Sequence, residues 1–285
     1  MVADGSAPGS GSDAHLILPD DPAAALASAL GILYFGSGWR QGPTWPYGKD
    51  KREPTTVTTF QQIALLLTAI WLLLVIVRYR RSSMVLISGL VALGLYTLVA
   101  LVSGKVTLDE LGLGLAHSWV PTMGFALAWL GLMVAYSPLA DWLATRWVHQ
   151  PPTLEVFRVL QQSTGKLIAG IVAAWVLGGI GEELIARGIV LKSLEVFLAA
   201  YVPRPLAVGV AVCAAAFGAG GMHAYQGLRA VVIITQLSVL FGVLFVVSGY
   251  NLGAVILCHG LYDTIAFLRF AHKQSTYSKL EKDYG

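Results

Sequence analysis

The sequence predicts an all-α fold, a polytopic membrane bundle of about eight helices. Three observations carry this. Of the 285 residues, 56% are hydrophobic and only 12% charged, where an average soluble domain is about 25% charged. Mean hydropathy is +0.68. Apolar runs recur along the chain at bilayer length, which is about 20 helical residues. Helix is the form these runs must take, because lipid offers no partner to an open backbone N–H or C=O.

In chain order, residues 1–21 are small, polar and acidic (Gly-Ser-Gly-Ser with Asp4, Asp13, Asp20 and Asp21) and read as a flexible tail. Residues 22–143 hold the N-terminal membrane helices. Their spans run from Pro22 to Trp39, Phe60 to Val77, Met84 to Val102 and Ser118 to Ala140. Arg78, Arg80 and Arg81 close the second. Gly112 and Gly114 interrupt the approach to the fourth, where an interfacial segment is expected. Residues 144–166 form a polar loop, with Pro151-Pro152 at a bend and a surface helix after it. Residues 167–270 make the membrane-embedded core. Its helices run from Leu167 to Leu191, Pro205 to Ala224, Leu228 to Val247 and Asn251 to Phe270. Residues 271–285 are a polar tail.

With eight spans the two termini share one face. That face collects more Arg and Lys than the other, so the positive-inside rule puts both termini in the cytoplasm of a cell-membrane protein. The net charge of +3 is too small to suggest a nucleic-acid partner. Cys213 and Cys258 lie in apolar runs and read as small buried hydrophobes, not as a disulfide.

Ionisable residues inside the apolar helices are few: Glu182, Glu183, Arg187, His223, His259 and Asp263. All fall in the C-terminal half. A charge at mid-bilayer costs about 2.5–3.5 kcal/mol on insertion scales, so such residues need partners, water or a task. Glu183 and Arg187 are spaced i,i+4 and can meet on one helix face. Glu182 is turned about 100° from its neighbour on an ideal α-helix and can face another cavity. His259 and Asp263 are also spaced i,i+4. His223 comes from a separate helix, behind Gly218, Gly220 and Gly221, which permit close helix approach. Taken singly, each group has a plain structural reading: a Glu–Arg pair that locks helices, a packing histidine, a local His–Asp pair. Their clustering argues for a site. His15, His117, His149 and His272 lie in tails, a loop or a span end and stay outside it.

Three motifs occur in order: Glu182-Glu183-Leu184-Ile185-Ala186-Arg187, then Phe217 to His223 followed by Tyr225-Gln226-Gly227, then His259-Gly260-Leu261-Tyr262-Asp263. Over about Leu167 to Phe270 this resembles the CAAX-protease and bacteriocin-processing (Abi) family, the family of Rce1-type prenyl-protein endopeptidases. Two positions depart from the family pattern. Ala219 stands where the family has Phe four residues before the second-motif His, and Phe217 lies six before it. Asp263 stands where the prenyl-protein enzymes have Asn.

The resemblance implies a glutamate-type intramembrane endopeptidase without a cofactor. Glu182 and His223 would hold and activate a water, and His259 with Asp263 would stabilise the oxyanion. Glu183 and Arg187 would support the site or bind a substrate carboxylate. The partners implied are the bilayer and a membrane-embedded or lipidated peptide, either prenylated or carrying a sorting signal. Two alternatives stay open. Glu182, His223, His259 and Asp263 are zinc-ligand types, although no His-Glu-x-x-His motif is present. Intramembrane charges also mark ion paths, as in a non-catalytic transporter or immunity-type protein.

Overall fold

The computed structural model describes residues 58–77, 82–114 and 118–284, with side chains described over 58–74, 88–114 and 118–272. The expected N-terminal tail and the span from Pro22 to Trp39 lie outside these residues. The secondary structure of the described residues is helical throughout. Helix α1 is Thr59–Val77, α2 Ser82–Val102 and α3 Trp119–Trp147. A short 3-10 helix, Glu155–Gln161, stands where the sequence predicts a surface helix. Helix α4 runs unbroken over Thr164–Ala199. Helices α5 (Arg204–Met222), α6 (Leu228–Val247) and α7 (Leu252–Tyr284) complete the bundle.

Helices α3 to α6 and the Leu252–His272 part of α7 are long and apolar enough to cross a bilayer. Their outward faces carry large apolar side chains such as Leu127, Ile168, Val172 and Leu206, which is stable only against lipid. Trp119 and Trp147 mark the two ends of the 29-residue α3 and are strongly exposed. That helix is about 43 Å long at 1.5 Å per residue, close to a bilayer with its headgroups. The two tryptophans therefore sit at interfacial depth, where such rings are favoured. The chain is an integral membrane protein.

The elements outrun their expected ends where nothing in the sequence stops them. Helix α7 continues through the polar tail because residues 271–284 contain neither Gly nor Pro. Helix α4 continues past Leu191 to Ala199 for the same reason, ending before Pro203. Pro138 inside α3 lies toward its C-terminal end, and the helix passes through it to Trp147.

The core lies between α3, α5, α6 and α7, around Met133, Val212, Phe241, Phe245, Leu252 and Val255. Small residues bring α5 and α6 together. A Cβ at Gly220 would lie 3.0 Å from the Val231 carbonyl oxygen, and one at Gly242 would lie 2.9 Å from Val212. Polar rungs join α3 to α6. Trp129 Nε1 donates to the Leu240 carbonyl at 3.0 Å, Tyr136 to Gln236 Oε1 at 2.9 Å, and Arg229 grips Asp141 through two nitrogens at 2.7–3.0 Å. Each such contact between membrane helices contributes about 0.6 kcal/mol on average.

Candidate active site

The middle of α4 is wound differently from its ends. Ala174–Glu182 and Leu184–Leu191 are π-helical, between α-helical Thr164–Ala173 and Lys192–Ala199. The i→i+5 bonding of a π turn widens the helix, and such turns gather at functional sites. Glycines at 178, 179, 181 and 188 leave the widened stretch room to approach its neighbours. A Cβ at Gly178 would stand 3.1 Å from Asp263 Oδ2 and 3.6 Å from His259 Nε2. A Cβ at Gly179 would stand 3.5 Å from the Ile256 carbonyl oxygen. Opposite them, the Trp175 ring lies where a Cβ at Gly260 would be, and its Nε1 donates to Thr264 Oγ1 at 3.0 Å. The backbones of α4 and α7 therefore run close together beside the first and third motifs.

The two adjacent glutamates have separate surroundings. Glu183 is fully buried and Arg187 is 2% exposed. Arg187 Nη1 donates to Glu183 Oε1 at 2.9 Å, while Nη2 donates to the Ser238 carbonyl at 2.7 Å and to Ser238 Oγ at 2.5 Å. His259 Nδ1 meets the same Glu183 oxygen at 2.6 Å. Glu183 Oε2 and Arg187 Nε are buried without a hydrogen-bond partner among the described residues. Phe241 fills the space between Arg187 and His259. The guanidinium carbon lies 5.5 Å from its ring centre, and the imidazole stacks on it at 4.7 Å.

Glu182 keeps 17% of its side chain exposed and faces His223, with Oε1 3.9 Å from Nε2. His223 is the C-cap of α5, a position where the chain leaves the helix at φ −91° and ψ 12°. Its Nδ1 lies 2.9 Å from the Ala219 carbonyl oxygen. A carbonyl only accepts, so Nδ1 carries a proton, and Nε2 is the nitrogen turned toward Glu182. The third motif closes the arrangement, with His259 Nε2 3.5 Å from Asp263 Oδ2.

The structure thus brings all six motif residues into one neighbourhood, on α4, the α5 terminus and α7. The direct α4 partner of His259 is Glu183, a long-range contact that i,i+4 spacing within one helix cannot reveal. Glu183 and Arg187 are also sealed from solvent and committed to internal partners. Binding of a substrate carboxylate by this pair would require breaking those contacts. Phe217 points outward and is 69% exposed, whereas Ala219 is buried with its carbonyl on His223. Ser238 and Phe241 on α6 belong to the site's support and carry no motif signal. Their i,i+3 spacing on one face of α6 is the only trace of them in the sequence.

Residues 164–265 match the family model for type II CAAX prenyl endopeptidases, Rce1-like. The match begins at the first residue of α4 and ends just past Asp263, so it contains every motif residue. No curated protein and no solved structure matches the chain.

Proposed function

We propose that this chain, whose residues 164–265 form a domain of the CAAX-protease family of membrane endopeptidases, hydrolyses its substrate with a water activated by Glu182 and His223 and without a metal. The observation that carries this reading is the facing pair. Glu182 Oε1 and His223 Nε2 stand 3.9 Å apart, each side chain partly exposed, and the neutral ring would keep its proton on Nδ1, against the Ala219 carbonyl, leaving Nε2 as an acceptor. A water between them donates one hydrogen to each and turns its oxygen lone pairs outward. Attack on a peptide carbonyl carbon sends one proton to this pair. The carbonyl oxygen becomes an oxyanion, and the proton then passes to the leaving nitrogen as the C–N bond breaks.

The oxyanion needs a donor. His259 gives its Nδ1 hydrogen to Glu183, so it can donate from Nε2 only with both nitrogens protonated. Glu183 and Asp263, on either side of the ring, supply the counter-charges for that state. The Phe241 stack fixes the ring plane. Arg187 holds Glu183 in turn, so the support runs from Ser238 through Arg187 and Glu183 to the oxyanion donor. The substrate is a membrane-associated peptide or protein, with prenylated C-termini and membrane-anchored sorting signals the chemical classes in view. The termini face the cytoplasm on the charge distribution.

The test is Glu182→Gln. Membranes containing the wild-type chain or the variant are compared by mass spectrometry of their peptides. Fragments present only with wild type identify the substrate. A folded, inserted Glu182→Gln protein that still produces those fragments at the wild-type rate would refute the role of Glu182. The zinc alternative predicts stoichiometric metal in the purified protein and loss of cleavage on chelation. Cleavage that survives chelation supports the metal-free reading.

A further inference from the structure

A cavity of about 520 Å³ opens between the first turns of α1 and the end of α2, and none of its lining residues belongs to the three motifs. Sites for small ligands span about 300–1,000 Å³. The wall is apolar. Phe60 and Tyr96 stack with ring centroids 5.3 Å apart, and Val99 and Ala100 lie beside them. The rim is polar and includes Thr58, Ser103 and Lys105. Local structure sets this rim. Helix α2 ends in a Schellman turn, in which Gly104 at φ 67° lets Lys105 N–H reach back to the Ala100 carbonyl at 2.8 Å and Gly104 N–H to the Leu101 carbonyl at 3.1 Å. The chain turns back at Lys105, which stays exposed at the mouth. Helix α1 starts at the same mouth with a reciprocal cap. Thr58 N–H donates to Gln61 Oε1 at 2.9 Å, and Gln61 N–H donates to Thr58 Oγ1 at 3.3 Å. The start of a helix favours negative charge, as the lysine does.

The neighbours of this mouth give its depth. Leu252 N–H donates to the Gly112 carbonyl at 2.8 Å, and Asn251 Nδ2 donates to Thr122 Oγ1 at 2.7 Å. The loop after α2, the α6–α7 turn and the start of α3 therefore share one end of the bundle. Trp119, at interfacial depth, belongs to that end. Below the mouth, the apolar wall continues into the exposed side chains of Ile63 and Val99, which face lipid. Among the described residues no carboxylate lines the cavity. Glu110, further along the loop, is taken by the Thr107 N–H and hydroxyl at 2.7 and 3.0 Å. A zwitterionic headgroup would bring its ammonium beside Lys105 with no carboxylate in the lining to receive it.

We propose that this cavity binds an anionic phospholipid, with an acyl chain against Phe60, Tyr96 and Val99 and the headgroup phosphate at Lys105 and the start of α1. The inference is independent of the proteolytic reading. It bears on α4 all the same. Phe60 and Ala100 share a small core with Val106, Leu111 and Ile189, and Leu184 packs against that core. Leu184 and Ile189 belong to the π-wound stretch of α4. A lipid seated on the outer side of the core braces α1 and α2 against the helix that carries Glu182, and a ligand that binds only the folded chain stabilises it.

The test uses the full chain in nanodiscs of equal phosphatidylglycerol and phosphatidylcholine. The photocrosslinking residue benzoylphenylalanine replaces either Ile63, which lines the cavity, or Leu73, which is exposed elsewhere on α1. Mass spectrometry identifies what each position captures. The Ile63 position is expected to capture phosphatidylglycerol over phosphatidylcholine by about fivefold, as one lysine contributes beside an anionic headgroup. The Leu73 position should report the nanodisc composition. Lys105→Gln should bring the Ile63 ratio down to that of Leu73, and Lys105→Arg should keep it high. Val99→Phe fills the cavity from an exposed position and should lower the yield of the Ile63 lipid adduct. Equal ratios at the two positions, a preference that survives Lys105→Gln, or an adduct yield unmoved by Val99→Phe would each overturn the proposal. So would capture of a peptide from residues 1–57 or from a second copy of the chain in place of lipid.

Discussion

Replacing Gly178 with alanine tests the site's geometry with one added methyl. The new Cβ would sit 3.1 Å from Asp263 Oδ2, 3.6 Å from His259 Nε2 and 3.9 Å from His259 Cε1. Only the first distance is too short, so the Asp263 carboxylate must give by a few tenths of an ångström. It can do so, because Asp263 is a quarter exposed. Moving away widens a His259–Asp263 separation that is already 3.5 Å. Two stability effects oppose one another. Alanine gains about 0.8–1.0 kcal/mol over glycine in a helix interior. Crowding in a packed interior costs about 1–3 kcal/mol. The net is a small loss of at most about 2 kcal/mol. Activity should fall further, since a 1 Å misplacement of a catalytic group can cost about 100-fold, and a third of that shift implies several-fold to tenfold. Gly179→Ala is the control. Its Cβ would meet the Ile256 oxygen at 3.5 Å and Gly260 Cα at 3.6 Å, which are ordinary contacts that leave His259 and Asp263 alone. The assay is kcat/KM on the cleaved peptide beside thermal unfolding in the same detergent. Equal activity of the two variants and wild type, at equal stability, would remove Asp263 from the reacting geometry.

Arg187→Met leaves Glu183 buried with His259 as its remaining partner and should destabilise the chain by about 3–5 kcal/mol, as for a broken buried pair. Equilibrium unfolding in SDS–lipid mixtures checks this, and Glu183→Gln/Arg187→Met should recover part of the loss. A change below about 1 kcal/mol for the single variant would mean that the pair behaves like an exposed one. Asp263→Asn keeps an oxygen for His259 but removes the charge, leaving Glu183 as the counter-charge, so kcat should stay within about tenfold of wild type, while Asp263→Ala removes the oxygen as well and should lose about 10²–10³, as when an oxyanion donor is removed. Single-turnover cleavage separates the two, and an Ala variant as active as the Asn variant would contradict the part given to the oxygen at position 263.

The fold was legible because the bilayer allows so few structures. Apolar runs of bilayer length gave α1 to α7 nearly residue for residue at several ends, Phe60 to Val77 and Leu228 to Val247 among them. What the runs could not show was where a polar helix continues beyond the lipid, since α7 beyond Phe270 depends on the absence of a breaker and not on hydropathy. Within the site, the local pairs were legible. Glu183 with Arg187 and His259 with Asp263 follow from i,i+4 spacing. Contacts between helices were not. The Glu183–His259 bond joins positions 76 residues apart, and Ser238 is 51 residues from the Arg187 it receives. Neither spacing nor composition contains that information. The π winding of α4 was also hidden, because its glycines are equally compatible with plain close packing.

The separate partners of the two adjacent glutamates also explain why the doublet is useful. A single carboxylate cannot be both sealed against a guanidinium and open to water. Glu183 is buried and bonded to Arg187 and His259, which fits the proposed orienting part better than that of a base. Glu182, one residue earlier, is partly exposed and faces His223, away from that guanidinium. The step between neighbouring residues sends one carboxylate to the α5 terminus and the other to α7, and the helix that carries both fixes their separation. The proposed water-activating pair and the proposed oxyanion donor therefore both depend on the same stretch of α4. Moving Glu182 by one residue along that helix would turn its carboxylate away from His223 while Glu183 kept its place. A variant with Gly181 and Glu182 exchanged should accordingly lose all cleavage of the peptide, even though every charged residue is kept. Cleavage at the wild-type rate by that variant would detach the position of Glu182 from the reaction.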